Sequence, residues 1–227
     1  MWILSLCVKI VSFFCRQACS SLFFSKFAYM NHDFTMPGPW SENVLLADAD
    51  YIDKVAFDLI VNFERMIGRR IPPADMARWI DCVALDGGLR EGDNTTQAVL
   101  LHDGKKTGMD NFVPSDYAAD LNGKAFRDNL GEFMVSSFAV ESIVTKEDFF
   151  IEALEAVCSR DEVKRVMVVP DIGMYDAVRH ALRQVSDDKR VTVFAMQPMP
   201  GGNFRQEILG YSLMSALGIR ADEIKCG

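Results

Sequence analysis

The sequence has no Cys-x-x-Cys pair and no series of alternating cysteines and histidines of the kind that builds structural zinc sites. It contains six cysteines and three histidines, and no two cysteines form a Cys-x-x-Cys pair. A tetrahedral zinc site needs such spacing, so the pattern argues against one. Cys82 and Cys158 fall within helical patterns, which predicts buried thiols in a reducing cytoplasm.

An excess of positive charge is also missing. Lysine and arginine number 24 against 32 aspartates and glutamates, for a formal charge of -8 and a pI near 4.9. A free-standing nucleic-acid binder usually carries a basic surface, so any such surface here has to be local. Hydrophobic residues make up 49% of the chain, which is enough for a large core and excludes disorder of the whole chain.

Long apolar runs are absent as well. Residues 1–29 are rich in Phe, Ser, Cys and Leu, but Lys9, Arg16 and Lys26 interrupt them. The remaining runs are shorter than the ~20 residues of a membrane-spanning helix, so we expect no stable membrane insertion.

Residues 1–42 form a leader or a mis-assigned start, followed by a turn-rich segment at 37–42. Three interpretations stay open: a start codon placed too early, with Met30 or Met36 as the true start, a weak signal or anchor, or an amphipathic extension. We expect a cytoplasmic protein, with a membrane or secretory alternative left open by residues 1–29.

The rest of the chain is organised around the stretch from Asn43 to Tyr51. Val44 to Ala47 form an unbroken apolar run, typical of a strand buried on both faces of a parallel sheet. The run stops at Asp48 and Asp50, and a helical pattern begins at once.

Strands and helices are predicted to alternate after this point. Strands are predicted at residues 44–47, 97–102, 132–138, 165–169 and 189–195. Helices are predicted at 52–67, from Pro72-Pro73 to the glycines at 87–88, and at 146–158, 174–185 and 205–217. This order predicts an α/β three-layer sandwich with a mostly parallel sheet of about five strands and helices on both faces. Residues 43–227 would form a single Rossmann-like domain, and a homo-oligomer is left open.

Acidic residues stand where two of these strands end. Asp48 and Asp50 follow the first strand, Asp171 follows the fourth, and Glu152 lies in the helix before the fourth. Because ligands bind at the carboxyl ends of parallel strands, the four carboxylates are predicted to hold Mg²⁺ or Mn²⁺. The alternative is that Asp50 and Asp171 each cap the following helix.

Two segments of the chain resemble the NYN domains of the PIN-like nuclease superfamily. One is Val44-Leu-Leu-Ala-Asp48, and the other runs from Lys146-Glu-Asp-Phe-Phe-Ile-Glu-Ala-Leu154 through Arg165-Val-Met-Val-Val-Pro-Asp171 to the strand at 190–194. The resemblance implies a Rossmann-like sheet, Mg²⁺ or Mn²⁺, and cleavage of RNA. It implies that Asp48 and Asp171 are catalytic metal ligands, with Glu152 as the helix acid.

The resemblance departs from the family pattern at the fourth strand. The Ser-Gly-Asp-Ser-Asp motif of the family is replaced by Pro170-Asp-Ile-Gly-Met174, so glycine stands in place of the second aspartate. The prediction is therefore a metal-dependent ribonuclease or a degenerate relative. The alternative from another class is a non-catalytic α/β interaction module.

A third interpretation uses Asp48-Ala-Asp50 differently. Haloacid-dehalogenase-type phosphatases have a strand that ends in Asp-x-Asp, and there Asp48 would be the nucleophile and Asp50 a general acid. The next residues, Tyr51-Ile-Asp-Lys54, lack the small hydroxyl residue and flap of that family. The phosphatase therefore ranks behind the nuclease and the interaction module.

Overall fold

The first strand, β1 (Asn43–Asp48), is buried along its whole length, as its apolar run predicts. The computed structural model describes residues 39–141 and 143–224, and within them β1 has a parallel neighbour on each side. A strand covered on both faces needs apolar side chains in both directions, which explains why its sequence does not alternate.

The other elements follow in a largely alternating order. The strands are β2 (Ala74–Asp75), β3 (Asn94–Asp103), β4 (Phe112–Val113), β5 (Lys124–Asp128), β6 (Gly131–Val140), β7 (Arg165–Val169), β8 (Arg190–Ala195) and β9 (Arg205–Ile208). The α-helices are α1 (Ala49–Ile67), α2 (Met76–Asp86), α3 (Lys146–Cys158), α4 (Tyr175–Leu182) and α5 (Leu209–Ala216). A π-helix spans Tyr117–Leu121, and 3-10 turns span Ile172–Met174 and Ala221–Glu223.

The main sheet has seven strands in the order β5-β6-β3-β1-β7-β8-β9, and all pairs except β5 with β6 are parallel. The α/β class and the mostly parallel sheet are confirmed. The count of about five strands was too low because β5 and β9 are short edge strands with no apolar run. On one side of β1 the sheet continues with β3 and β6. On its other side β1 pairs with β7, the next strand of this sheet after β6 in the sequence.

Helices cover both faces of this sheet. One core joins α1, α2 and α5 to alternate strand residues such as Leu45 and Ala47. The intervening residues Val44, Leu46 and Asp48 belong to the opposite face, where α3 packs against β1 and α4 packs against α3. Asp48 therefore lies under the start of the helix that carries the chain from β6 to β7.

Two predicted helix starts were wrong. Pro72-Pro73 precede the two-residue strand β2 instead of opening a helix, and α2 begins at Met76 with Asp75 as its N-cap. Arg205 to Ile208 form strand β9, so the last helix begins only at Leu209. In both places strand pairing overrides a local helical signal: β2 pairs with the distant β4, and β9 pairs with β8, the strand before it.

No helix within residues 39–141 and 143–224 combines the length and the apolar character that a bilayer crossing requires.

Candidate active site

Two carboxylates and two ammonium groups meet at the carboxyl end of β1. Lys146 Nζ lies 2.7 Å from Asp48 Oδ1 and 2.7 Å from Asp50 Oδ2. Lys106 Nζ lies 3.0 Å from the other Asp50 oxygen, Oδ1. We call these four residues the carboxyl-edge cluster.

Asp48 is also the N-cap residue of α1. Its Oδ1 accepts a hydrogen bond of 3.0 Å from the backbone N–H of Tyr51. The alternative in which Asp50 caps this helix is therefore wrong. The helix starts immediately after the strand because the residue at its end supplies the cap.

Asp50 lies two residues further along the chain and joins α1 to the end of β3. Its Oδ2 accepts a hydrogen bond of 2.8 Å from the backbone N–H of Asp103, the last residue of that strand. Since β1 and β3 are parallel neighbours, their carboxyl ends share one edge, and Asp50 connects the two.

Lys146 reaches the cluster because it is the first residue of α3. Thr145 caps that helix by accepting from the backbone N–H of Asp148, and the helix begins above the end of β1. A lysine is unfavourable in the first turn of a helix because the macrodipole is positive there. This local conflict marks Lys146 as a site residue, and it is the signal from which the sequence could have predicted its role.

Burial and charge shift the cluster's pKa values in different directions. Burial raises the pKa of Asp48, and the charge and hydrogen bond of Lys146 offset this only in part. Burial also acts to raise the pKa of Asp50, but Lys146 and the N–H of Asp103 outweigh it and the pKa is lowered. Burial acts to lower the pKa of Lys146, but the two carboxylates raise it. Lys146 is therefore an ammonium ion at neutral pH.

An open groove of about 600 Å³ adjoins the cluster. Its charged lining comes from the cluster and from two neighbouring segments: Asp50, Asp103, Lys105, Glu141 and Lys146. Asp50 keeps 15% of its side chain exposed, whereas the side chain of Asp48 is fully enclosed. A ligand in the groove would therefore meet Asp50 and the lysines before Asp48.

A further buried carboxylate supports the cluster from α1. Asp53 accepts hydrogen bonds from the backbone N–H groups of Asn111 and Asp110, at 2.8 and 3.3 Å. Tyr117 is 3% exposed, and burial together with the charges of Asp50 and Asp53 raises the pKa of its hydroxyl. Sequence reasoning missed Lys106, Asp53 and Tyr117, because each stands in a segment without clear periodicity or beside a stronger motif.

Asp171 is not one of the residues that hydrogen-bond within the cluster. β1 and β7 are adjacent, with Ala47 opposite Val169, so the prediction that these strands are neighbours is confirmed. The Asp171 carboxylate, however, accepts from the N–H of Gly173 and caps its own 3-10 turn. Glu152 lies six residues beyond Lys146 in α3, about 9 Å along the helix axis.

The described residues fit the predicted metal site only in part. Within residues 39–141 and 143–224, no three Asp, Glu, His or Cys side chains converge closely enough to hold a metal ion. Lys146 stands between Asp48 and Asp50, where a cation shared by the two carboxylates would stand. One oxygen, Asp48 Oδ2, is buried without a hydrogen-bond partner among the described residues.

Comparison with known proteins gives one match. The model of a family of unknown function, DUF6621, matches residues 38–224. No curated protein and no solved structure matches the chain.

Proposed function

The chain belongs to DUF6621, a family of unknown function, and we propose that its carboxyl-edge cluster hydrolyses phosphodiesters, with single-stranded RNA as the substrate class. The supporting observation is the pair of carboxylates that share the Lys146 ammonium beside an open groove. The resemblance to NYN domains provides the substrate class, and the cluster provides the chemistry.

A purely structural role explains this cluster less well. Removing charges from water costs several kcal/mol per ion, and a well-packed apolar group often stabilises a protein as well as a buried ion pair does. Charged groups with shifted pKa values in a cleft are typical of functional sites. Asp48 and Asp50 have pKa values shifted in opposite directions in this way.

Each residue of the cluster has a role in the proposed reaction. Lys146 lines the groove and binds the anionic oxygens of the phosphate, since its pKa is raised and the group remains charged. Lys106 holds the Asp50 carboxylate from outside the groove lining. Asp50 faces the groove as a carboxylate and accepts a proton from the water that attacks phosphorus. The P–O bond to the leaving ribose oxygen breaks, and that oxygen takes a proton from solvent in the open groove. Asp48 is a positioning residue, because it holds Lys146 and the start of α1 without facing the groove.

Mg²⁺ or Mn²⁺ remains a prediction from the sequence. A bound divalent ion would polarise the phosphodiester and activate a water molecule. The cluster offers two carboxylates instead of the four predicted, and Lys146 already neutralises charge between them. The reaction proposed above uses the side chains of the cluster alone, and the cleavage assay with Mg²⁺, with Mn²⁺ and with a chelator tests metal dependence.

The phosphatase alternative is less compatible with this geometry. Its nucleophile would be Asp48, whose side chain is fully enclosed and whose Oδ1 is bound by Tyr51 and Lys146. In addition, α1 begins at Ala49, which leaves no flap directly after the strand. Attack by water at the groove is favoured over a covalent intermediate.

The test is cleavage of a labelled single-stranded RNA by the full-length protein, with Mg²⁺, with Mn²⁺ and with a chelator. We expect Asp50→Asn to lower the rate by about 100-fold or more, the usual contribution of a general base. The matched control is Asp176→Asn, whose carboxylate is 91% exposed on α4, and its rate should equal that of the wild type.

Two results would contradict the proposal. One is a folded wild-type protein that cleaves no RNA under any of the three conditions. The other is cleavage that Asp50→Asn leaves unchanged. Turnover of p-nitrophenyl phosphate without RNA cleavage would instead favour the phosphatase.

A further inference from the structure

Arginines collect at the opposite, amino edge of the sheet. The adjacent parallel strands β7, β8 and β9 begin with Arg165, Arg190 and Arg205, and Arg165 stands directly opposite Arg190 in the register. Neighbouring strands are about 4.8 Å apart, so Arg165 and Arg190 lie side by side. Arg205 lies opposite Thr192, two residues beyond Arg190 along β8. Arg90, in the loop before β3, completes what we call the amino-edge arginine cluster.

Two of the guanidinium groups approach each other above Gly88. Arg165 Nη1 donates a hydrogen bond of 2.6 Å to the carbonyl oxygen of Gly87. A β-carbon on Gly88 would lie 2.8 Å from Arg165 Nη1 and 3.4 Å from Arg205 Nη1. Gly88 thus leaves the space that both groups occupy, and one small anion can contact both.

The described residues do not neutralise this cluster. Within residues 39–141 and 143–224, Arg90, Arg165 and Arg190 form no ion pair with a carboxylate, and Arg205 pairs only with Glu207 in its own strand. Burial lowers the pKa of Arg165, and the positive charges of Arg190, Arg90 and Arg205 lower it further. The negative charge of Glu42 acts in the opposite direction but does not outweigh them. Asp86 is the other acid beside Arg205.

Converging positive charges without a partner are unfavourable unless an anion binds. This repulsion between arginines is notable because the chain has a formal charge of -8 and therefore many acidic residues. Few of those acidic residues lie beside the cluster. We propose that the amino-edge arginine cluster binds a phosphate group. The guanidinium fork matches phosphate oxygens in a bidentate manner, which an isolated ammonium cannot do.

The phosphate belongs either to a small molecule or to the terminus of a nucleic acid, and the chemistry of recognition is the same. This inference does not rest on the proposed hydrolysis, because the two clusters lie at opposite edges of the sheet. The length of β1 separates these edges by about 17 Å.

Calorimetric titration of the full-length protein tests the proposal. The probes are inorganic phosphate, pyrophosphate, and one short single-stranded oligodeoxynucleotide with either a 5′-phosphate or a 5′-hydroxyl. We expect saturable binding at one site, weakened about tenfold or more by Arg190→Gln and by Arg205→Gln, since a charge-assisted hydrogen bond contributes that much. Binding should weaken as salt rises.

The control variant is Arg78→Gln, which removes one exposed arginine at the far end of α2, the helix that leads to Gly87. It should bind like the wild type, and the melting temperatures of all variants show whether they are folded. Binding of phosphate or pyrophosphate supports a small-molecule source. Binding of the 5′-phosphorylated oligonucleotide alone supports a nucleic-acid terminus. No binding by any probe, equal binding of the 5′-hydroxyl form, or equal weakening by Arg78→Gln would overturn the proposal.

Discussion

At the scale of single residues, Lys146 is the most informative side chain in the protein. Its ammonium contacts two carboxylates that are close in sequence to each other and about a hundred residues away from it. The residue is unfavourable for its own helix terminus and favourable for the site. Such a conflict between local preference and tertiary contact is typical of functional positions.

Asp81 provides a pH-dependent prediction. Burial, followed by the neighbouring carboxylate of Asp128, raises the pKa of Asp81 from 3.8 to about 7. Between these two values the folded state holds a proton that the unfolded state has lost, so stability falls as pH rises through this window. Asn imitates the protonated form, and Asp81→Asn should raise the free energy of unfolding at pH 8 by about 1–2 kcal/mol, after allowance for solvent screening.

The measurement is urea unfolding of the wild type and of Asp81→Asn at pH 5 and pH 8, where the gain at pH 5 should be less than half as large. Asp58→Asn, an exposed change on α1, serves as the control and should remain within about 0.5 kcal/mol of the wild type at both pH values. Equal gains for Asp81→Asn at the two pH values would exclude the linkage.

At the scale of elements, the sequence predicted what depends on local periodicity. The bounds of α3 and β7 were predicted to the residue, and Gly68 ends α1 in a left-handed conformation (φ 69°), as expected. The failures lie where strand pairing decides: β5 is a polar edge strand that pairs with β6, and β9, which pairs with β8, begins within an apparent helix. No signal within residues 124–128 specifies a strand until β6 is beside them.

The site also has features that the local sequence predicts and features that only the folded structure decides. Asp48 and Asp50 were predicted because they end an apolar strand, and the adjacency of β1 and β7 followed from the alternation of strands and helices. The orientation of each carboxylate was not predictable, because it depends on which N–H group or ammonium lies within reach. The Asp171 carboxylate accepts a hydrogen bond from the N–H of Gly173, and the Asp48 carboxylate accepts hydrogen bonds from the N–H of Tyr51 and from the Lys146 ammonium.

The first turn of α3 provides a prediction for an element. Thr145 caps this helix through the N–H of Asp148 at 3.1 Å. Thr145→Ala should lower the free energy of unfolding by about 1 kcal/mol, and Thr145→Ser, which keeps the hydroxyl, should lower it by much less. Urea unfolding followed by circular dichroism measures both changes, and equal losses in the two variants would show that the cap contributes nothing.

At the scale of the whole molecule, the two edges of the sheet carry opposite arrangements. Carboxylates paired with lysines lie at the carboxyl edge, and arginines gather at the amino edge, where Arg205 pairs with Glu207 of its own strand. The central strand β1 between them is buried along its length, and the clusters share no residue. We therefore regard the sheet as a spacer between two independent sites.

This independence predicts additive effects on stability. The change caused by Asp50→Asn and Arg190→Gln together should equal the sum of the single changes within about 0.5 kcal/mol, because the sites are far apart. Asp50→Asn and Lys146→Met, which are in contact, should deviate from their sum by about 1 kcal/mol or more. Urea unfolding of the singles and doubles measures both cycles, and strong coupling across the sheet would refute the spacer model.

The separation of 98 residues between Asp48 and Lys146 also has a consequence for biosynthesis. A ribosome adds about 5–20 residues per second, so Lys146 is made about 5–20 s after Asp48. Strand β3, which pairs with β1, and Lys106, the second counter-ion of Asp50, are made within that interval, but α3 is not. We expect the Asp48 carboxylate to stay without its ammonium partner until translation delivers α3.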